Sequence, residues 1–327
     1  MLTDLLFIAI GMAGLFIGGE WLIQSSTRLA AGFRVPPLAI GLTVVAVGTS
    51  MPELVVTVSA AAGGSSELAL GNIVGSNIAN VGLILGIAGL IRALTVNTSL
   101  IRREIPIMVA VSILVFIMAL DREIGRVEGI VLIALYGLFA VVLYRASVSQ
   151  PQPDAGEVRD EVEAIEGDAA TIRSGRELLK LVASIAILIA GAQFIITGAG
   201  SIARALGISE LIIGLTLVAV GTSLPEIATA VAATLRKHDD LASGNAVGSN
   251  IANLLLVLGL TAVIAPTTVP ESVLRTGLPV MIAFALVLML LSFRRKLPRW
   301  SAGILLVAYL VFVVVEFVGS ANAGTAP

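Results

Sequence analysis

The chain has 327 residues, 57% of them hydrophobic and only 13% charged; 20 basic and 22 acidic side chains leave a net charge of −2, and mean hydropathy is +1.03. These values exclude a water-soluble domain, so most of the chain is solvated by lipid, and no nucleic-acid partner is expected. The absence of cysteine excludes disulfides and thiolate metal sites, and the lone His238 beside Asp239 and Asp240 in an expected loop fits zinc, copper or haem chemistry poorly.

Ten apolar runs, each long enough to cross roughly 30 Å of hydrocarbon as a helix, are expected at 4–27, 35–63, 68–92, 104–120, 127–144, 178–200, 208–235, 241–265, 273–292 and 300–319. The first lacks a positive leader and carries Asp4, so it is expected to remain in the mature protein instead of being cleaved as a signal peptide. Assigning alternate connections to the two sides places sixteen of the twenty basic residues on one side, which the positive-inside rule makes cytoplasmic. Both termini are then expected outside and the 146–177 loop inside, in the plasma membrane of a prokaryotic cell.

The second run holds GLTVVAVGTSMPE at 41–53 and the third holds GNIVGSNIAN at 71–80. Both return 173 residues later, as GLTLVAVGTSLPE at 214–226, identical at eleven of thirteen positions, and GNAVGSNIAN at 244–253, identical at nine of ten. One offset shared by both blocks implies duplication of a larger unit. The expected fold is an all-α membrane protein of ten transmembrane helices in two five-helix repeats, 1–145 (motif 41–86) and 178–327 (motif 214–259). Five spans per repeat force the second to enter the membrane from the opposite face, the inverted plan of many secondary transporters. Between them, 146–177 reads as an acidic cytoplasmic linker, interrupted by Pro151 and Pro153. Its Asp154, Glu157, Asp160, Glu161, Glu163, Glu166 and Asp168 lack EF-hand spacing, which favours hydrated surface over a regulatory Ca2+ site.

Four acids fall inside the runs: Glu20, Glu53, Glu226 and Glu316. Buried acids at membrane depth usually face a cavity and act there. Glu53 and Glu226 are repeat mates, each following Thr and Ser at positions four and three residues earlier, on one helical face: Thr49 and Ser50, Thr222 and Ser223. Pro52 and Pro225 each oppose the carbonyl four residues back, at Gly48 and Gly221, so both helices are expected to break there and expose carbonyl oxygens. The second block adds Ser76 with Asn80 and Ser249 with Asn253, each pair on one face; Asn77 and Asn250 either join them or bond to neighbouring helices. Carboxylates, hydroxyls, amides and carbonyls without nitrogen or sulfur suit Ca2+ or Na+, and two ionised glutamates balance one Ca2+ or two Na+.

Thr57, Ser59, Thr229 and Ser25 read as packing residues bonded to the preceding turn, and Asn72 and Asn245 as caps or spacers. Glu20, whose mate is Gln193, either lines an inner vestibule or reaches the interface. Glu316 reads as a packing or interfacial residue, and Trp21, Trp300 and Tyr309 as interfacial anchors.

The two blocks resemble the alpha-1 and alpha-2 repeats of the Ca2+/cation antiporter superfamily, specifically prokaryotic sodium/calcium exchangers; the match covers GTSMPE with GNIVGSNIAN and GTSLPE with GNAVGSNIAN, and the ten-span plan extends it over nearly the whole chain. The resemblance implies Na+/Ca2+ antiport by alternating access, with the transported ions as substrates and no resident cofactor. It further implies as ligands Thr49, Ser50, Glu53, Ser76, Asn80, Thr222, Ser223, Glu226, Ser249 and Asn253, with carbonyls near Ala46 and Ala219, and a gate made by the first and sixth spans. Some relatives carry aspartate where this chain has Asn253, and the neutral amide argues against K+ co-transport and proton participation there. Calcium/proton exchange is the second reading and a passive cation channel the third. An enzyme is not expected, because no nucleophile, histidine base or zinc triad accompanies the acids, and no obligatory protein partner is evident.

Overall fold

The computed structural model describes residues 2–33, 35–148, 174–206 and 219–323. In chain order its elements are α1 (Leu2–Phe33), α2 (Pro37–Thr49), α3 (Met51–Ala62), α4 (Ser66–Ile91), β1 (Leu94–Thr95), α5 (Leu100–Asp121), β2 (Glu123–Ile124) and α6 (Arg126–Val148). Then follow α7 (Ser174–Ala205), α8 (Ala219–Thr222), α9 (Leu224–Leu235), α10 (Asp239–Ile264), β3 (Thr267–Thr268), α11 (Val273–Ser292), β4 (Lys296–Leu297) and α12 (Arg299–Ala323).

Among the described residues eight helices are long and apolar enough to cross a membrane, and α2 with α3 makes a ninth span, bent by 44°. The expected span at 208–235 is described only from Ala219 onward, as α8 and the shorter apolar α9. The acidic run from Asp154 to Asp168 lies outside the described residues, while α6 and α7 reach slightly into the expected linker.

Proline explains the bend. Helix α2 closes with Ser50 N–H donating to the Ala46 carbonyl at 3.0 Å, and Ser50 itself leaves helical geometry at φ −82°, ψ 8°. Pro52 then falls in the first turn of α3, where its missing N–H has no intrahelical acceptor to lose. Ser223, at φ −86° and ψ 3°, and Pro225 repeat this ahead of α9.

Four two-residue strands, too short to be read from sequence, reveal how the halves are related. β1 pairs antiparallel with β4, Leu94 opposite Leu297, and β2 pairs with β3, Ile124 opposite Thr267. Adding the 173-residue offset turns β1 into β3 and β2 into β4, so exchanging the halves maps one ribbon onto the other. The ribbons also lie at opposite ends of α5, because β1 precedes that helix and β2 follows it. A twofold that swaps them runs across the membrane-length helix, and therefore inverts one half relative to the other.

At the centre α4 and α10 are the most enclosed of the long helices, packed with α5 and α11 around a large apolar cluster that includes Ile78, Met108, Ile251 and Met281. Tyr309, expected at the interface, belongs to this core: a Cβ on Gly82 would sit 2.7 Å from that of Tyr309, so the absent side chain makes room for the ring. Trp21 and Trp300 are exposed, as anchors require. Helices α1 and α7 form a pair of their own, with backbones almost touching; a Cβ on Gly11 would lie 2.6 Å from the Gly191 carbonyl oxygen.

Polar contacts at the start of α10 fasten the first half to the second. Asp239 accepts from the Arg92 guanidinium and, at 2.9 Å, from the Thr95 N–H of β1, while Asp240 accepts from Asn97 at 3.1 Å. The aspartates beside His238 thus begin a helix and brace a ribbon.

Candidate ion-binding site

The break at Ser50 places Glu53 in the first turn of α3, and the break at Ser223 places Glu226 in the first turn of α9. Each acid is only 1% exposed. They meet by exchange across the twofold: Ser50 donates to Glu226 Oε1 at 3.4 Å, and Ser223 donates to Glu53 Oε1 at 3.4 Å. Thr222 and Ser76 also stand beside Glu53, and Thr49 beside Glu226. Each acid is thus met by hydroxyls of the opposite half, and Glu53 also by Ser76 of its own half.

Asn80 and Asn253 each begin a wide π-helical turn, Asn80–Ile84 and Asn253–Val257, a local distortion that recurs at functional sites. Asn80 Nδ2 donates to Asn250 Oδ1 at 2.9 Å, and Asn250 Nδ2 donates to the Asn77 carbonyl at 3.2 Å. Asn250 thereby fixes which end of the Asn80 amide turns elsewhere, and the Asn80 oxygen is left over. Asn250 bonds to a neighbouring helix, whereas Asn77 Nδ2 donates within α4, to the Ile73 carbonyl at 2.7 Å, and Asn77 Oδ1 is a further buried oxygen without a partner.

Buried polar atoms are nearly always paired, because an unmade hydrogen bond away from water costs about 1–3 kcal/mol. Among the described residues eleven buried side-chain oxygens have no partner within the protein, and five of them belong to the repeated motifs' expected ligands: Glu53 Oε2, Glu226 Oε2, Asn80 Oδ1, Asn253 Oδ1 and Ser249 Oγ. Four of these are acceptors only. Such a set suits a cation bound through oxygen, and a hard one, since neither imidazole nor thiolate accompanies it.

The backbone contribution is less symmetric than the motifs imply. The Ala46 carbonyl already accepts from Ser50 N–H, leaving one lone pair, whereas the Ser223 N–H turns to Val220 at 3.2 Å. Ala219 begins α8, and its side chain lies outside the described set.

Several roles were not legible in the sequence. Asn72 and Asn245 lie inside α4 and α10 and cap neither helix. Asn72 donates to Thr57 Oγ1 at 3.0 Å and to the Glu53 carbonyl at 3.4 Å, so Thr57 joins two helices and is not simple packing material. Thr229 and Ser25 do bond to the preceding turn, at 2.7 and 2.8 Å. Glu20 accepts from Gln24 at 3.1 Å and pairs with Arg236 at the end of α9. The mate of Arg236 is Gly63, so comparison of the halves gives no sign of that pair. Glu316 is exposed near the end of α12.

A family model described as "Sodium/calcium exchanger protein" matches residues 3–145 and again residues 177–318, once for each half. The chain is 34% identical to a putative antiporter, CaxA, of Alkalimonas amylolytica over 97% of this chain and 99% of that protein. It is 33% identical to the sodium/calcium exchanger MaX1 of Methanosarcina acetivorans over 96% and 99%. Among solved structures it is similar to the sodium-calcium exchanger NCX_Mj soaked with Na+ and Sr2+, with a TM-score of 0.83 and 27% identity over 96% of this chain and 98% of that one. Duplicated halves, twofold-related acids and matches spanning both chains agree: this multi-pass membrane protein is a transporter that belongs to the sodium/calcium exchanger family.

Proposed function

We propose that this exchanger moves Ca2+ against Na+ through one site whose ligands are Thr49, Ser50, Glu53, Ser76, Asn80, Thr222, Ser223, Glu226, Ser249 and Asn253, with the carbonyls of Ala46 and Ala219. The observation that carries this reading is the set of five unpartnered buried oxygens gathered from both halves, two of them carboxylate. Two carboxylates neutralise one Ca2+ or two Na+, so each ion excludes the other, and the exchange follows from competition for one charge-balanced site. The site sits between repeats 1–145 and 178–327, and access alternates as α1 and α7, joined through Gly11 and Gly191, move against the remaining helices. The membrane is the plasma membrane, with both termini outside and 146–177 in the cytoplasm.

The test is 45Ca2+ uptake into proteoliposomes loaded in turn with Na+, K+ or acidic buffer. Uptake is expected only with an outward Na+ gradient. Uptake driven equally by a proton gradient would transfer the protein to calcium/proton exchange, and uptake that needs no opposing cation would make it a channel.

A further inference from the structure

Asn72 and Asn245 occupy equivalent positions, one helical turn before Ser76 and Ser249, yet their amides meet different partners. Asn72 stays within its own half, braced against Thr57 Oγ1 and the Glu53 carbonyl of α3. The residue equivalent to Thr57 is Ala230, which has no oxygen to offer. Asn245 is fully buried with its Nδ2 unpartnered, and its Oδ1 reaches across the twofold to accept from Thr49 Oγ1 at 3.3 Å.

We propose that Asn245 is a positioning residue for Thr49, holding the hydroxyl proton away from the site so that the oxygen keeps its lone pairs for the cation. The inference rests on Thr49 being a ligand, as proposed above. A hydroxyl that donates into the site, toward Glu226, presents its positive end to the incoming ion and occupies a carboxylate lone pair. Outside the site the same proton has three acceptors: the Val45 carbonyl at 3.1 Å, the Ala46 carbonyl at 3.4 Å and Asn245 Oδ1. Of these the Ala46 carbonyl is itself a candidate ligand, and Asn245 is the one side chain. An amide oxygen on α10 therefore draws the proton outward and spares that carbonyl. The absence of a hydroxyl at Ala230 leaves the amide available for this, so the halves differ in chemistry: one asparagine braces an acid and the other orients a hydroxyl.

Two variants test the assignment by Ca2+ titration calorimetry on purified protein in Na+-free detergent solution. Asn245→Ala removes the acceptor. Ala230→Ser leaves Asn245 in place but offers its amide the partner that Asn72 has in the other half, drawing it away from Thr49. Each is expected to weaken Ca2+ binding about three- to tenfold, the range that one hydrogen bond contributes. A residue that only packed helices together would lower yield or melting temperature and leave the dissociation constant unchanged. Parental affinity in both variants overturns the proposal, and if Asn245→Ala is not monodisperse, parental affinity in Ala230→Ser overturns it alone. A parent that binds no Ca2+ defeats the reading of the whole site, and this inference with it.

Discussion

Replacing either Glu53 or Glu226 by glutamine is expected to abolish Na+-driven 45Ca2+ uptake. The substitution keeps the size of the side chain and removes one unit of charge, so a bound Ca2+ would sit with a net positive charge in a place where each acid is 1% exposed. An uncompensated buried charge costs several kcal/mol. At about 1.4 kcal/mol per decade, about 4 kcal/mol weakens Ca2+ binding roughly a thousandfold, enough to remove transport at millimolar Ca2+. Misfolding is separable from this effect, because neither variant loses packing volume and each removes repulsion between two buried acids. Melting temperature without Ca2+ is expected to equal or exceed that of the parent, while the rise that Ca2+ gives the parent disappears. Either variant retaining parental uptake would show that the carboxylate is not part of the transport site.

The second large effect concerns a residue with no side chain. Gly248 lies just before Ser249, and a Cβ there would meet Leu42 Cα at 2.7 Å, the Leu42 carbonyl oxygen at 2.8 Å and Ala46 Cβ at 2.9 Å. Two of these atoms are backbone, so no rotamer change relieves the clash, and α2 must move away from α10. That movement separates Ala46, Thr49 and Ser50 from Ser249 and Asn253. Gly248→Ala is expected to cost about 1–3 kcal/mol of stability, the usual penalty for overpacking. It should also weaken Ca2+ binding at least about tenfold, since ligands from two helices no longer converge. Gly137→Ala on α6, where no described atom lies within 4 Å, is the matched control and should leave both melting temperature and binding unchanged. Equal behaviour of the two variants would mean that the approach of α2 to α10 does not hold the site together.

Much of this site was legible because its chemistry is local. A proline four residues after a glycine, an acid directly after the proline and a hydroxyl pair before it specify a broken helix with its ligands, whatever packs around it. Writing that unit twice at one offset then specified that two acids would face each other, and the crossing bonds of Ser50 to Glu226 and Ser223 to Glu53 bear this out. Residues whose roles depend on a neighbour were misread. Tyr309 reads as interfacial because tyrosine is enriched at membrane interfaces, but it falls in the middle of its span, where Gly82 on α4 leaves room for it. Glu20 was ambiguous because its partner, Arg236, is 216 positions away on a helix end with no related charge in the first half.

The sequence by itself determined the solvent of the protein, the duplication, the helix breaks and the atoms available to a cation, since each follows from composition or from residues within one helical turn. Only the tertiary structure decided how nearly equal halves became unequal. Asn72 and Asn245 are the same residue in almost the same motif, and their roles diverge because an amide bonds to whatever packing brings within about 3 Å. Thr57 stands there for one and Thr49 of the opposite half for the other.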